Sequence, residues 1–230
     1  MIGIIGALAP EIEKFNSLLK NARTEKVGAM EYTVGNLGKN EVVTSVCGMG
    51  KVFSAVCTQT MIEKYSPSLV INVGAAGTTT NKLHIGNVAI AEKAVQYDMD
   101  NSPLGYKKGE IAGLDRVYFD CDEKAVKLLC ECAEELGLTY KKAVIGTADL
   151  FVDKDEIKKR INAEFGVEVA EMEGASVGQV CTMHGVPYGI IRAISDEAGE
   201  AAAESFFSLL DKVVLDAAKL LEMFCERYSV

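Results

Sequence analysis

The sequence predicts an α/β fold, and three observations carry that prediction. Short apolar runs bounded by glycine or proline recur along the 230 residues and read as buried strands. They alternate with stretches of helical periodicity, the pattern of a sheet covered by helices. No repeat, low-complexity stretch or Pro/Ser-rich linker interrupts the alternation, so residues 1–230 form one expected domain.

The elements follow in order. Residues 2–6 form a short apolar strand. Pro10 opens a helix to about residue 22, with Ile12, Phe15, Leu18 and Leu19 on one face. Residues 30–47 read as two strands joined at 35–38. Gly48-Met49-Gly50 then turns into a helix carrying Val52, Val56 and Ile62, which Ser66-Pro67 ends. A buried strand covers 69–73, Gly74-Ala75-Ala76-Gly77 follows, and another strand covers 86–92. Asp122 caps a helix that Gly137 stops. Further strands are expected near 142–146, 166–171 and 187–194, and helices near 154–164, 174–184 and 201–226. From residue 96 to about 116 there is no clear period. Its Tyr, Met, Leu and Pro content suits a loop packing on a ligand or a second subunit.

Composition narrows the class. Nearly half the residues are apolar and the net charge is −9, which argues against a nucleic-acid groove or an anionic membrane surface. No apolar stretch approaches spanning length and no basic region precedes the first apolar run, so the cytosol is the expected compartment. Seven cysteines at scattered spacings and two histidines complete no zinc pattern. The cysteines read as reduced and mostly buried, with no metal and no cofactor expected.

Several motifs fall short of the chemistry they hint at. Gly3-x-x-Gly6 lacks the third glycine and the acid of a dinucleotide fingerprint, and Gly50-Lys51 lacks the rest of a phosphate-binding loop. Gly174-Ala175-Ser176-Val177-Gly178 matches a nucleophile elbow. Yet no Asp or Glu lies between Ser176 and His184, the only later histidine. Small residues at this spacing also let a helix pack closely on a sheet.

Carboxylates remain. Glu11, Glu173 and Asp196 each stand just past a strand, where α/β sheets bind ligands. In Gly189-Ile190-Ile191-Arg192-Ala193-Ile194-Ser195-Asp196-Glu197, a regular strand would put Arg192, Ile194 and Asp196 on one face. An internal Arg192–Asp196 pair fixing the strand end fits the same pattern. Glu11 and Glu173 are also where helix dipoles favour acids in any protein.

Six segments occur together in one order: Gly3-Ile4-Ile5-Gly6-Ala7-Leu8 with Glu11, Gly48-Met49-Gly50-Lys51, Asn72-Val73-Gly74-Ala75-Ala76-Gly77, Asp149-Leu150-Phe151-Val152, Glu171-Met172-Glu173, and Arg192-Ala193-Ile194-Ser195-Asp196. Together they resemble the 5′-methylthioadenosine/S-adenosylhomocysteine nucleosidases of the nucleoside phosphorylase superfamily, nearly end to end. The resemblance implies a twisted, mixed sheet flanked by helices, a homodimer, and hydrolysis of an adenine–ribose bond. Glu11 would activate the attacking water, with Arg192 helping to hold both. Asp196 would bind the purine edge and protonate the departing adenine. Glu173 would bind the ribose hydroxyls with Met172 against the sugar. Phe151 would stack on adenine beside the Val152 backbone, and Leu8, Met49, Ala75 and Ser195 would complete the site. Tyr106 and Phe206 match the 5′ pocket.

The chain departs from the resembled family at points. Ala75 stands where those nucleosidases usually carry serine, and Asn101 and Leu104 where they carry more hydrophobic or aromatic residues. The 96–116 loop would serve the partner's site, so the 5′ group is the open question: thioether, homocysteine, or the carboxylated tail of aminodeoxyfutalosine. A phosphorylase would need cations for phosphate. The chain has five arginines, none before Glu11. A nucleoside-binding protein without catalysis would not need all three carboxylates.

Overall fold

The computed structural model describes residues 1–198 and 202–229; over 202–214 it describes the backbone alone. The elements are β1 (Ile2–Gly6), α1 (Ala9–Asn16), β2 (Lys20–Val27), β3 (Met30–Leu37), β4 (Asn40–Val46), α2 (Lys51–Tyr65), β5 (Leu69–Thr78), β6 (Val88–Gln96), β7 (Tyr118–Asp120), α3 (Glu123–Glu135), β8 (Tyr140–Thr147), α4 (Asp155–Phe165), β9 (Val169–Glu171), α5 (Gly174–His184), β10 (Tyr188–Asp196) and α6 (Ala202–Arg227). All ten strands join one mixed sheet, ordered β10-β6-β8-β9-β5-β1-β4-β3-β2 with β7 on β6. β10 also pairs with β5, which closes β10, β6, β8, β9 and β5 into a ring. The expected α/β class with a mixed sheet is what the chain forms.

β5 organises the sheet. One edge pairs with β10 over Val70–Gly77. Its other edge pairs first with β1, over Leu69–Asn72, and then with β9, at Gly77 and Thr78. Between Asn72 and Gly77 the two partners diverge, and the backbone there is left open on that edge. This split is the kind of switch point at which α/β sheets bind ligands. Helices cover both faces. One core cluster unites Ile5, Cys57, Met61, Val177 and Cys181 under α2 and α5, and a second unites Ile12, Phe15, Leu129, Leu220 and Phe224 under α1, α3 and α6.

The expected boundaries fail in several places: β5 runs on through Gly74–Gly77 to Thr78 instead of ending at residue 73, and β6 covers Val88–Gln96 rather than 86–92. The first helix stops at Asn16, and Lys20–Val27 is a strand rather than its continuation. β2 is an exposed edge rich in charge, so it shows no alternation to read. β7 was not foreseen, being three residues long. β3 continues through Leu37, so the turn falls at Gly38, whose φ of 57° favours glycine. The ends of the Asp122–Gly137 helix fare better: Asp122 accepts from Ala125 N at 2.8 Å at its start, and Gly137 takes a φ of 65° beyond its end. Residues 97–117 hold only a short 3-10 turn, Ser102–Leu104, and one bridge between Ile111 and Arg116. All seven cysteines are unpaired and six are buried. No helix of the described residues is long and apolar enough to cross a membrane.

Candidate active site

A cavity of about 360 Å³ opens at the split beside β5. Its walls come from Ala7, Leu8 and Glu11, from Ala75–Gly77, from Leu150–Val152, from Ala170–Glu173, and from Met49, Asp196 and Ala198. The lining is apolar except for carboxylates, and among the described lining residues there is no Lys, Arg or His.

Glu11 enters from the third position of α1. Its side chain turns back over the helix start, where Oε2 accepts from Ala7 N at 2.7 Å and Leu8 N at 2.8 Å. This is the carboxylate half of a capping box, since Leu8 offers no side-chain acceptor. Oε1 accepts from Ala75 N at 3.0 Å, on the open edge of β5. Burial raises the Glu11 pKa, and those three N–H groups and the Arg192 charge oppose the rise.

Asp196 enters from the far end of β5's other neighbour. The β10 register slips between Ile194 and Asp196, so Asp196 leaves the face that a regular strand would give it. Its Oδ1 accepts from Ala198 N at 2.8 Å and its Oδ2 from Ser195 Oγ at 2.9 Å. Ala198 itself adopts φ 50°, a left-handed conformation that costs a non-glycine residue of the order of 1 kcal/mol. The turn is held in strain while its N–H faces the carboxylate. Burial is the largest effect on Asp196 and raises its pKa.

The glycines of β5 explain how both acids reach the same strand. A Cβ on Gly74 would lie 2.8 Å from Glu11 Oε1, and one on Gly77 would lie 2.5 Å from Asp196 Oδ1. Gly74-Ala75-Ala76-Gly77 is therefore a two-sided seat for two carboxylates.

Glu173 stands at the N-cap position of α5, and its side chain, which makes no cap bond there, accepts from Gly50 N at 2.7 Å. Burial and the neighbouring Glu171 charge push its pKa up to about 7. Glu171 is the residue that sequence reasoning passed over. It accepts from Thr147 Oγ1, from Arg192 Nη2, from Glu173 N at 3.1 Å and from Gly174 N at 2.7 Å. A signal for it existed: a buried arginine requires a buried carboxylate, and Glu171 ends the strand that meets β5.

Arg192 corrects two expectations. It is fully buried behind the cavity wall, bonded to Glu171, to Asn72 Oδ1 and to the Ile191 carbonyl, not to Asp196 and not to Glu11. The bulge turns Asp196 away, and β9 brings Glu171 closer. Arg192 reaches Glu11 and Glu173 only through its charge.

The other expected residues divide. Leu8, Met49, Ala75, Phe151, Val152, Met172 and Glu173 line the cavity with Glu11 and Asp196. Ser195 lies behind, supporting Asp196. Within one chain, Asn101, Leu104 and Tyr106 do not reach the cavity; Leu104 is 76% exposed. The Phe206 side chain lies outside the described residues. Ala7, Ala76, Gly77 and Leu150 of the quoted segments also line it, as do Ala170 and Ala198 just outside them, although none is among the expected site residues. The elbow-like Ser176 donates to the Lys51 carbonyl at 2.7 Å, and a Cβ on Gly178 would lie 2.6 Å from the Tyr188 ring. That motif is close helix packing.

Fold and site together describe an enzyme-like pocket for a small molecule, lined by carboxylates. The family model of the phosphorylase superfamily matches residues 1–228. A 5′-methylthioadenosine/S-adenosylhomocysteine nucleosidase of Aeromonas salmonicida is 36% identical over 222 residues, 96% of each chain. The S-adenosylhomocysteine nucleosidase of Streptococcus pyogenes, solved in complex with 5-methylthiotubericidin, superposes with TM-score 0.96 at 31% identity over 100% of this chain and 97% of its own. A futalosine hydrolase mutant of Helicobacter pylori superposes with TM-score 0.95 at 32% identity over 99% of both. The chain belongs to the phosphorylase superfamily and, within it, to the 5′-methylthioadenosine/S-adenosylhomocysteine nucleosidase family.

Proposed function

We propose that the protein hydrolyses the N-glycosidic bond of 5′-methylthioadenosine and/or S-adenosylhomocysteine, releasing adenine and the 5-thioribose. The observation that carries this reading is the pair of buried carboxylates, Glu11 and Asp196, seated at opposite ends of Gly74–Gly77 and facing one cavity. Glycosidic cleavage through an oxocarbenium-like state needs a base for water on one side of the sugar and an acid at the leaving group. Glu11 takes a proton from water as it attacks the anomeric carbon. The C–N bond breaks toward the base, and Asp196 gives its proton to adenine. Glu173 binds the ribose hydroxyls, Met172 packs on the sugar, and Phe151 and Val152 hold the base. Arg192 steadies Glu11 through charge alone.

Water rather than phosphate is the acceptor in this reading. The described cavity lining offers no cation for a phosphate dianion, and Arg192 is committed to Glu171 and Asn72. The test is chromatographic detection of adenine in phosphate-free buffer. Free adenine with an unphosphorylated sugar supports the proposal; turnover only on adding phosphate overturns it.

A second substrate has support from the futalosine hydrolase likeness, at a TM-score and identity matching those of the nucleosidase. Asn101 in place of a hydrophobic residue suits a polar 5′ tail. Comparing kcat/KM for methylthioadenosine, S-adenosylhomocysteine and aminodeoxyfutalosine decides it; strong preference for the first counts against the polar tail.

The assembly we propose is a cytosolic homodimer in which the 96–116 loop completes the partner's 5′ pocket. α2 supports it. Cys57, Met61 and Ile62 face the core, while Val52, Phe53 and Val56 stay more than half exposed on the same helix. An apolar face left exposed on α2 is what a second copy would cover. Sedimentation at micromolar concentration gives the dimer mass if this is right and the monomer mass if not.

A further inference from the structure

Three chain segments meet at the mouth of the cavity. One precedes α2 and carries Met49. One follows β6 and starts at Asp98. The third follows β8 and runs Asp149-Leu150-Phe151-Val152. Val152 is buried in a core cluster with Tyr97 and Ala148, but Met49 and Leu150 are 59% and 43% exposed, so burial contributes little at the rim's outer edge.

Polar links hold it instead, and they converge on one residue. Lys51 Nζ lies 2.8 Å from both carboxylate oxygens of Asp98. Its backbone N–H donates to Asp149 Oδ1 at 2.7 Å, and Asp149 N donates to Asp98 Oδ2 at 3.3 Å. Its carbonyl accepts from Ser176 Oγ of α5 at 2.7 Å. The preceding N–H, of Gly50, donates to Glu173 at 2.7 Å. Gly50 has φ 100°, and a Cβ there would fall 2.9 Å from Asp149 Oδ1. The close approach of Asp149 thus depends on glycine at 50, and the Lys51 ammonium acts on Asp149 through Asp98, which accepts the Asp149 N–H. The Lys51 side chain is 19% exposed and that of Asp98 32%, so solvent screens the pair only in part.

We infer that Lys51 is a positioning residue: by clamping Asp98 and Asp149 to the start of α2, it fixes the Gly50–Glu173 hydrogen bond and the 150–152 rim in the geometry that receives substrate. It touches no reacting atom. The inference rests on the nucleosidase reading of the cavity for its kinetic consequence, though not for the clamp itself. Asp98 also opens the 97–116 segment, so the clamp sets where that segment leaves the sheet.

Two measurements test it. In steady-state adenine release, Lys51→Met raises KM roughly 5–10-fold with kcat within about twofold, and Lys51→Arg restores most of the loss because a guanidinium can engage both Asp98 oxygens. In substrate-free protein, hydrogen exchange of Lys51→Met speeds up at the amides of Gly50, Lys51 and Asp149 and not along the rest of α2 and α5. Wild-type KM and exchange in Lys51→Met would overturn the inference. So would a fall in kcat at unchanged KM, or faster exchange across both helices, which marks a general loss of structure. If the wild-type protein releases no adenine, the nucleosidase reading fails, and the exchange pattern alone decides the clamp.

Discussion

Glu11 and Asp196 face the same cavity across four residues of β5, yet they are held in opposite ways. Glu11 receives three backbone N–H groups, from two different elements, with the Arg192 charge behind it. Such donors favour the ionised form and fix its direction. Asp196 receives one N–H, from a strained turn, and one rotatable hydroxyl. Burial raises both pKa values; three N–H groups and the Arg192 charge oppose it at Glu11, and one N–H, the Ser195 hydroxyl and the Lys158 charge oppose it at Asp196. In the proposed reaction the two serve as base and acid, and what distinguishes them in the pocket is their donors, not their residue type.

The comparison breaks most directly by removing each charge. Glu11→Gln presents an amide to three N–H donors and cannot take a proton; we expect kcat to fall roughly 10³-fold or more. Asp196→Asn keeps an acceptor for Ala198 N but has no proton to give, and should cost roughly 10²–10³-fold. Asp196→Asn should keep a thermal midpoint near wild type, whereas Glu11→Gln turns an amide NH2 toward at least one of those N–H groups and should lower it. Near wild-type rates in either variant would end the assignment.

Displacing the acids without removing them costs less. Gly77→Ala drives a methyl to 2.5 Å from Asp196 Oδ1 and 3.0 Å from the Ala198 Cβ, and Gly74→Ala drives one to 2.8 Å from Glu11 Oε1. A shift of about 1 Å in a reacting group can cost up to roughly 100-fold, so each should lose about 10–100-fold in kcat/KM. The tighter contact predicts the larger loss for Gly77→Ala. The reverse order would mean that Glu11 tolerates displacement less than its three donors suggest.

Ser195→Ala sharpens the contrast more gently. The hydroxyl donates to Asp196 and so lowers its pKa. Without it that pKa rises, the acid keeps its proton longer, and the alkaline limb of kcat/KM moves upward by roughly half a pH unit. An unchanged limb would mean that another group sets it.

How far this was legible from sequence follows the same division. The carboxylates could be read because a strand ending on an acid, as at Asp196, and an acid in the first turn of a helix after a strand, as at Glu11, are local patterns. The seat formed by Gly74 and Gly77 was visible as a motif, but its reason was not, because the approach of two side chains from α1 and β10 is a tertiary fact. Arg192 was read with the wrong partner. Regular strand spacing pointed to Asp196, and only the bulge and the arrival of β9 deliver Glu171 instead. β2 escaped because an exposed edge strand of KNARTEKV carries no apolar alternation. Whether Asn101, Leu104 and Tyr106 complete a second copy's pocket is a question between chains, which local pattern does not encode.

The smallest effect concerns Glu173, which belongs to neither half of the comparison. Its pKa is pushed to about 7 by burial first and by Glu171 second. A carboxyl whose folded pKa exceeds its unfolded value stabilises the fold fully at low pH and loses that contribution as pH rises through the folded pKa. The wild-type thermal midpoint should therefore fall between about pH 5 and about pH 8, by an amount corresponding to on the order of 1–3 kcal/mol. Glu173→Gln has no charge to bury, so its midpoint should be flatter over the same range and should exceed wild type at the alkaline end. Substrate should reverse the wild-type slope in part, because ribose hydroxyls would donate to the ionised form. Equal slopes in the two proteins would show that the Gly50 N–H and Arg192 keep Glu173 ionised throughout, and would place it with Glu11 rather than between the two acids.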